Sequence, residues 1–115
     1  MEKDFPLEKE IRFMENNRTS RRVRVNLMVA YCDDNRASRM GSVRDISMEG
    51  MYIHTGIRPV VHDHISASIN MENLGKVIWI TGRIVRMTDT GMAVMFTTAD
   101  NKGLASIMSY WHASR

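Results

Sequence analysis

The sequence predicts a small all-β protein, an antiparallel barrel or sandwich with helices packed at its ends. Three observations carry this prediction. Apolar and polar residues alternate with period two in successive runs along most of the chain, turn-forming Gly, Pro, Asn and Asp cluster between the runs, and helical spacing occurs only near the two termini. A length of 115 residues with 43% hydrophobic content suits one core rather than two.

Each element follows from its pattern. Leu7, Ile11 and Met14 stand at helical spacing behind an Asp4/Pro6 start signal, which predicts a short helix ending near Asn16 and Asn17. From Val23 the period becomes two: Val23, Val25, Leu27, Val29 and Tyr31 alternate with Arg24, Asn26, Met28 and Ala30 to make the first strand. The segment from Asp33 to Ser38 reads as a turn. Strands are expected from Arg39 to Ile46 and from Met51 to Thr55, with Ser47 to Gly50 connecting them. A loop containing Pro59 follows, and then Ile65, Ala67, Ile69 and Met71 alternate with polar residues as a fourth strand. The run from Lys76 to Met87 is β-rich throughout and carries Gly82, where a bulge or bend is expected. A turn from Thr88 to Gly91 leads into Met92, Val94 and Phe96, the hairpin partner. Leu104, Ile107, Met108 and Trp111 then follow an Asp100 or Asn101 cap, so the chain closes with an amphipathic helix that covers one opening.

Composition excludes several classes. No apolar stretch is long enough to span a bilayer, and the polar, acidic N-terminus lacks a signal-peptide core, so a cytoplasmic location is expected. Cys32 is the lone cysteine, without an internal partner, and its apolar setting predicts a buried structural thiol. His62, Asp63 and His64 lack further ligands at recognisable spacing and read as a loop, so no metal is expected. No nucleophile has a base and an orienting group, and no phosphate loop is present, which argues against an enzyme. The eleven methionines, Met48 and Met51 among them, read as adaptable core or interface residues.

Net charge is only +3, yet its distribution is uneven. Residues 1–17 carry five acids against three bases, and then Arg18, Arg21, Arg22 and Arg24 fall within seven positions. Arg18 and Arg22 are four apart, a spacing that points both side chains the same way in a helix or in a strand. Continuing the parity of the first strand, Arg22 faces outward. Further along, Asp45, Ser47 and Gly50 form a D-x-S-x-x-G run at a strand junction: Asp and Ser can bond nearby backbone N–H groups, and Gly50 permits positive φ or close approach of a ligand. Taken singly, an arginine cluster is more often a solvated surface, and such a turn is as often only a connection. Together they suit a ligand bearing phosphates and guanine edges, because an arginine fork pairs with phosphate or with guanine O6/N7 and a carboxylate accepts from guanine N–H donors.

The two motifs, in this order, resemble those of the PilZ domain family: an R-x-x-x-R arm before the first barrel strand and a D/N-x-S-x-x-G turn after the second. The run from Arg22 to Val29 is similar to the family's first strand, and Gly91 to Phe96 to its late G-x-x-V-x-F strand, so the resemblance covers essentially the chain after residue 17. It implies an arm or short helix over 1–17 and a PilZ domain over 18–115, with a six-stranded antiparallel barrel at about 22–98 and a C-terminal helix at about 100–113. It also implies a bacterial receptor for the second messenger cyclic di-GMP, with no cofactor, that changes conformation and signals to a protein partner. Carried over, Arg18 and Arg22 hold phosphates and guanine Hoogsteen edges, Asp45 and Ser47 meet guanine donors or phosphate, and Gly50 allows close approach. Arg21 and Arg44 are neighbouring candidates, and Asn17 sits where the family sets ligand stoichiometry, with one and two ligands both compatible. Arg83 and Arg86 cannot be assigned a face from parity. Two alternatives stand beside this expectation: a small barrel that binds single-stranded nucleic acid through its arginines, disfavoured by the absence of an evident aromatic platform, and a ligand-independent protein-interaction adaptor of the same fold.

Overall fold

Six antiparallel strands close into a barrel in the computed structural model, which describes residues 22–33, 37–61 and 63–113. The strands are β1 (Val23–Cys32), β2 (Arg39–Ile46), β3 (Gly50–His54), β4 (His64–Met71), β5 (Lys76–Met87) and β6 (Gly91–Ala99), and around the barrel they run β1-β2-β3-β6-β5-β4. One 3₁₀ turn, Glu72–Leu74, joins β4 to β5, and one helix, α1 (Asn101–Ala113), follows β6. The barrel alternative to a sandwich is therefore the one realised, and closure leaves no sheet edge exposed. The expected N-terminal helix, and with it Asn17, Arg18 and Arg21, lies outside the described residues, as does His62.

Period-two alternation becomes one shared core. Val29, Val43, Ile46, Met51, Ile53, Ile69 and Met92 are fully or almost fully buried, and they come from five of the six strands. Leu104 and Ile107 of α1 complete the same cluster, with Met108 and Trp111 packed partly against it, so the helix closes one end as its spacing predicts. Asp100 caps that helix: its Oδ1 accepts from the Gly103 N–H at 3.1 Å, and its carbonyl from the Leu104 N–H at 2.9 Å. Gly103 lets the helix settle closely, because a Cβ there would come within 2.9 Å of Ile78 Cγ1 on β5.

Three readings of the pattern are corrected by packing. The third strand starts at Gly50 and ends at His54, one residue earlier than expected at each end. On β6, Met92, Ala93 and Val94 are all buried, although alternation places Ala93 outside. Ala93 does face outward, but Val85, Tyr52 and Met95 cover it in a small second cluster, held by a 2.9 Å bond between the Tyr52 hydroxyl and Thr88 Oγ1. Cys32 is half-buried rather than buried, because it follows the inward-facing Tyr31 and so takes the outward side of β1. Gly82 does lie at an irregularity: the β5–β6 register shifts between Thr81 and Gly82.

Candidate functional site

β1, β2 and β3 pair irregularly, and the irregularities fall beside the two motifs. Between Arg24↔Asp45 and Leu27↔Val43, two residues of β1 oppose the single Arg44 of β2. Between Val43↔Ile53 and Asp45↔Tyr52, Arg44 has no opposite residue on β3. These are β-bulges, which bend a strand and re-aim its side chains. The bulged corner carries an open cavity of about 740 Å³ whose polar lining is Arg22, Arg24, Asn26, Arg44 and Asp45.

Within it the arginine arm and the carboxylate motif touch. Arg22 donates from Nε at 3.1 Å and from Nη2 at 2.5 Å to Asp45 Oδ1, with both side chains one-third exposed (33%). The register explains the contact, because Val23 pairs with Ile46 and Arg24 with Asp45, so the residue preceding β1 reaches across to the end of β2. Both bonds converge on one oxygen, and a carboxylate offers about four lone-pair sites, so acceptor capacity remains. Asp45 lies in β2 as expected, but where the sequence reading lets its carboxylate bond nearby turn amides, its partner is Arg22.

Ser47 is what shapes the turn. Its Oγ accepts from the Glu49 N–H at 3.1 Å and the Gly50 N–H at 3.2 Å, and its own N–H donates to the Gly50 carbonyl at 2.8 Å. The Phe96 N–H donates to the Glu49 carbonyl at 2.7 Å and ties the turn to β6. Ser47 is 2% exposed, so its hydroxyl serves the loop in this geometry rather than facing the cavity. Left-handed glycines among the described residues are Gly56 and Gly75, so Gly50 does not serve through positive φ and retains only the role of allowing close approach. It begins β3 opposite Met95, which also pairs with Arg83 of β5; Arg83 therefore shares a row with the motif glycine.

Arg44 is exposed and donates from Nε to Ser42 Oγ at 3.2 Å, and Ser42 donates to Asn26 Oδ1 at 2.9 Å. Arg24, Asn26 and Ser42 were not singled out as site residues by motif spacing. Outward parity from Arg22 through Arg24 to Asn26 was the available signal. Arg86 is exposed on β5 opposite Ala93. Among the described residues no group of three or more His, Cys, Asp or Glu is placed to hold a metal ion, and no helix is long and apolar enough to cross a membrane. The corner thus joins three guanidiniums to one carboxylate on an open, polar surface, where the guanidiniums can donate to an anion and the carboxylate can accept from N–H donors.

Known proteins resemble the chain in family and in fold. The model of the PilZ domain family matches residues 16–110. The PilZ domain of YcgR from Escherichia coli, solved with c-di-GMP, superposes with a TM-score of 0.71 at 12% identity, covering 86% of this chain and 94% of that one. The PilZ domain of CeSA from a cellulose-synthesizing bacterium gives a TM-score of 0.61 at 14% identity over 81% of this chain and 96% of that one. The Bacillus subtilis inhibitor of motility MotI/DgrA gives 0.68 at 13% identity over 84% of this chain, which spans only 50% of that protein. No curated protein sequence matches the chain.

Proposed function

The chain belongs to the PilZ domain family, and on that premise we propose that it is a cyclic di-GMP receptor, non-enzymatic and cytoplasmic, that passes ligand binding on to a protein partner. The observation that carries this reading is the contact between Arg22 and Asp45 at the mouth of an arginine-lined cavity. A guanine presents acceptors to an arginine and donors to a carboxylate on the same base, so it can replace each partner of that pair. The exchange is favourable in magnitude. An ion pair exposed to this degree contributes roughly 0.2 to 1 kcal/mol, whereas each charge-assisted bond to the ligand contributes roughly 1.5 to 3 kcal/mol.

In this proposal Arg22, with Arg18 from outside the described residues, holds phosphate and the guanine Hoogsteen edge, and Asp45 accepts from guanine N–H groups. Ser47 fixes the turn, Gly50 lets the ligand approach the backbone, and Arg24 and Arg44 add positive potential around the phosphates. The structure of YcgR's PilZ domain with c-di-GMP supports the choice of ligand.

Titration calorimetry with cyclic di-GMP tests the reading and reports stoichiometry in the same experiment. Arg22→Ala is expected to lower affinity at least 30-fold, about 2 kcal/mol, in a domain that remains folded. Unchanged affinity in the folded variant rejects the assignment. A linear dinucleotide of equal charge should bind more weakly; preference for oligonucleotides with a steep salt slope would instead favour the nucleic-acid alternative.

A further inference from the structure

The arginine corner carries a second set of polar groups that belong to neither motif. Arg44 of β2 stands at the bulge where Val25 and Asn26 of β1 both oppose it, and β3 offers it no opposite residue. Asn26 and Arg44 are exposed, and both line the cavity of about 740 Å³ that also holds Arg22 and Asp45. Ser42 joins them: Arg44 Nε donates to Ser42 Oγ at 3.2 Å, and the Ser42 hydroxyl donates to Asn26 Oδ1 at 2.9 Å. A donor on Oγ polarises the hydroxyl and makes its proton the stronger partner for Asn26.

This chain of bonds fixes what the corner shows a ligand. A carboxamide ordinarily presents an acceptor and a donor side by side, which is why asparagine pairs with the N6/N7 edge of adenine. With Oδ1 engaged by Ser42, the end of the Asn26 amide left out of the chain is Nδ2, with its two N–H donors. Arg44 has no acceptor, and with Nε committed to Ser42 its Nη groups are the donors left out of the chain. The pair is therefore a donor surface. Guanine offers it two acceptors, O6 and N7, whereas adenine places the N6 donor where guanine has O6. Donor facing donor leaves both groups unpaired, and a site built to bond one group rejects the analogue that lacks it. Spacing assigns this surface to a different base from the one at Arg22 and Asp45: Asn26 lies four residues along from Arg22, about 13 Å in extended chain, farther than one purine edge reaches. A cyclic dinucleotide carries two bases, and the second is the one left for Asn26 and Arg44.

We infer that Asn26, oriented by Ser42, and Arg44 read the O6/N7 edge of the second guanine of the ligand and exclude adenine from that position. The inference rests on the receptor reading and deepens it by adding a selectivity position outside both motifs.

Titration calorimetry of the full chain with cyclic di-GMP and with the mixed cyclic GMP-AMP of the same linkage, at one ionic strength, tests this. The mixed ligand keeps one guanine for Arg22 and Asp45 and brings adenine to Asn26. The native chain is expected to prefer cyclic di-GMP by at least about tenfold. Asn26→Asp keeps the oxygen that Ser42 meets and replaces the amide donors by an acceptor, so the preference should fall at least about fivefold. The two ligands carry equal charge, so the repulsion that the new carboxylate adds cancels in the ratio. Ser42→Ala should lower the same ratio by freeing the amide to turn, and Ser42→Thr, which keeps the hydroxyl, should preserve it. Equal affinities in the native chain, or an unchanged ratio in Asn26→Asp, overturn the inference and leave the receptor reading in place. Binding of neither ligand rejects the receptor reading itself, and the selectivity position with it.

Discussion

The β4–β5 seam and the β1–β2–β3 corner obey different rules, although β5 also shifts register twice where it meets β6. β4 and β5 pair without a break through eight successive residue pairs, from His64↔Arg83 to Met71↔Lys76, and their inward residues Ile65, Ala67, Ile69, Ile78 and Ile80 are all buried. β1, β2 and β3 interrupt their register twice within a few residues, and there the arginines, Asp45 and the Ser47 turn gather. Regular pairing maximises hydrogen bonding and core packing, whereas a bulge gives up part of the ladder to aim a side chain. One side therefore supplies a frame against which the other can afford its irregularity.

That division can be broken experimentally. On the regular side, Ile69→Ala removes a fully buried side chain, and a loss of about 2 to 5 kcal/mol is expected in denaturant unfolding. Cyclic di-GMP affinity should stay near native wherever the variant is folded, and a large fall would mean the two sides are coupled. Arg22→Ala should do the reverse, costing about 2 kcal/mol of binding and less than about 1 kcal/mol of stability, because its ion pair is one-third exposed. Ser47→Ala lies between these cases: it leaves the Glu49 and Gly50 N–H groups without their acceptor, so roughly 1 kcal/mol of stability should be lost together with a smaller loss of affinity, read by unfolding and calorimetry on the same sample.

The smallest effect concerns Tyr31, where β1 pairs regularly with β4. Burial pushes its phenol above the ordinary 10.0, with the Arg39 charge opposing. The unfolded chain then gives up its proton first, so this contribution is fully present below pH 10 and is lost as pH rises from there through the folded-state value. Denaturant midpoints measured from pH 9 to about 11 should fall more steeply in the native protein than in Tyr31→Phe. Parallel slopes would remove Tyr31 from the account.

Sequence pattern located five strands to within a residue and the sixth to its start, with β6 running three residues past Phe96, because inward alternation on a closed barrel is a local property that each strand displays alone. It located the closing helix in the same way, from Leu104 and Ile107. The pattern was less informative at Ala93 and Cys32, whose burial depends on which neighbours cover the outer face, and Arg83 and Arg86 had no parity signal at all. At the candidate site the motif spacing named Arg22, Asp45, Ser47 and Gly50, but it could not say that Asp45 would meet Arg22 while Ser47 alone would hold the turn.

By itself, then, the sequence determined the number and limits of the strands, the sign of the charge beside them and the residue types available for a phosphate and a guanine. Only the tertiary structure decided that the Arg22 guanidinium and the Asp45 carboxylate share a cavity with Arg44, and that Tyr52, Val85 and Met95 cover Ala93 on the outer face. The reason is physical: both facts depend on register and bulges between strands distant in sequence, and a single residue of slip would turn those side chains to the opposite face.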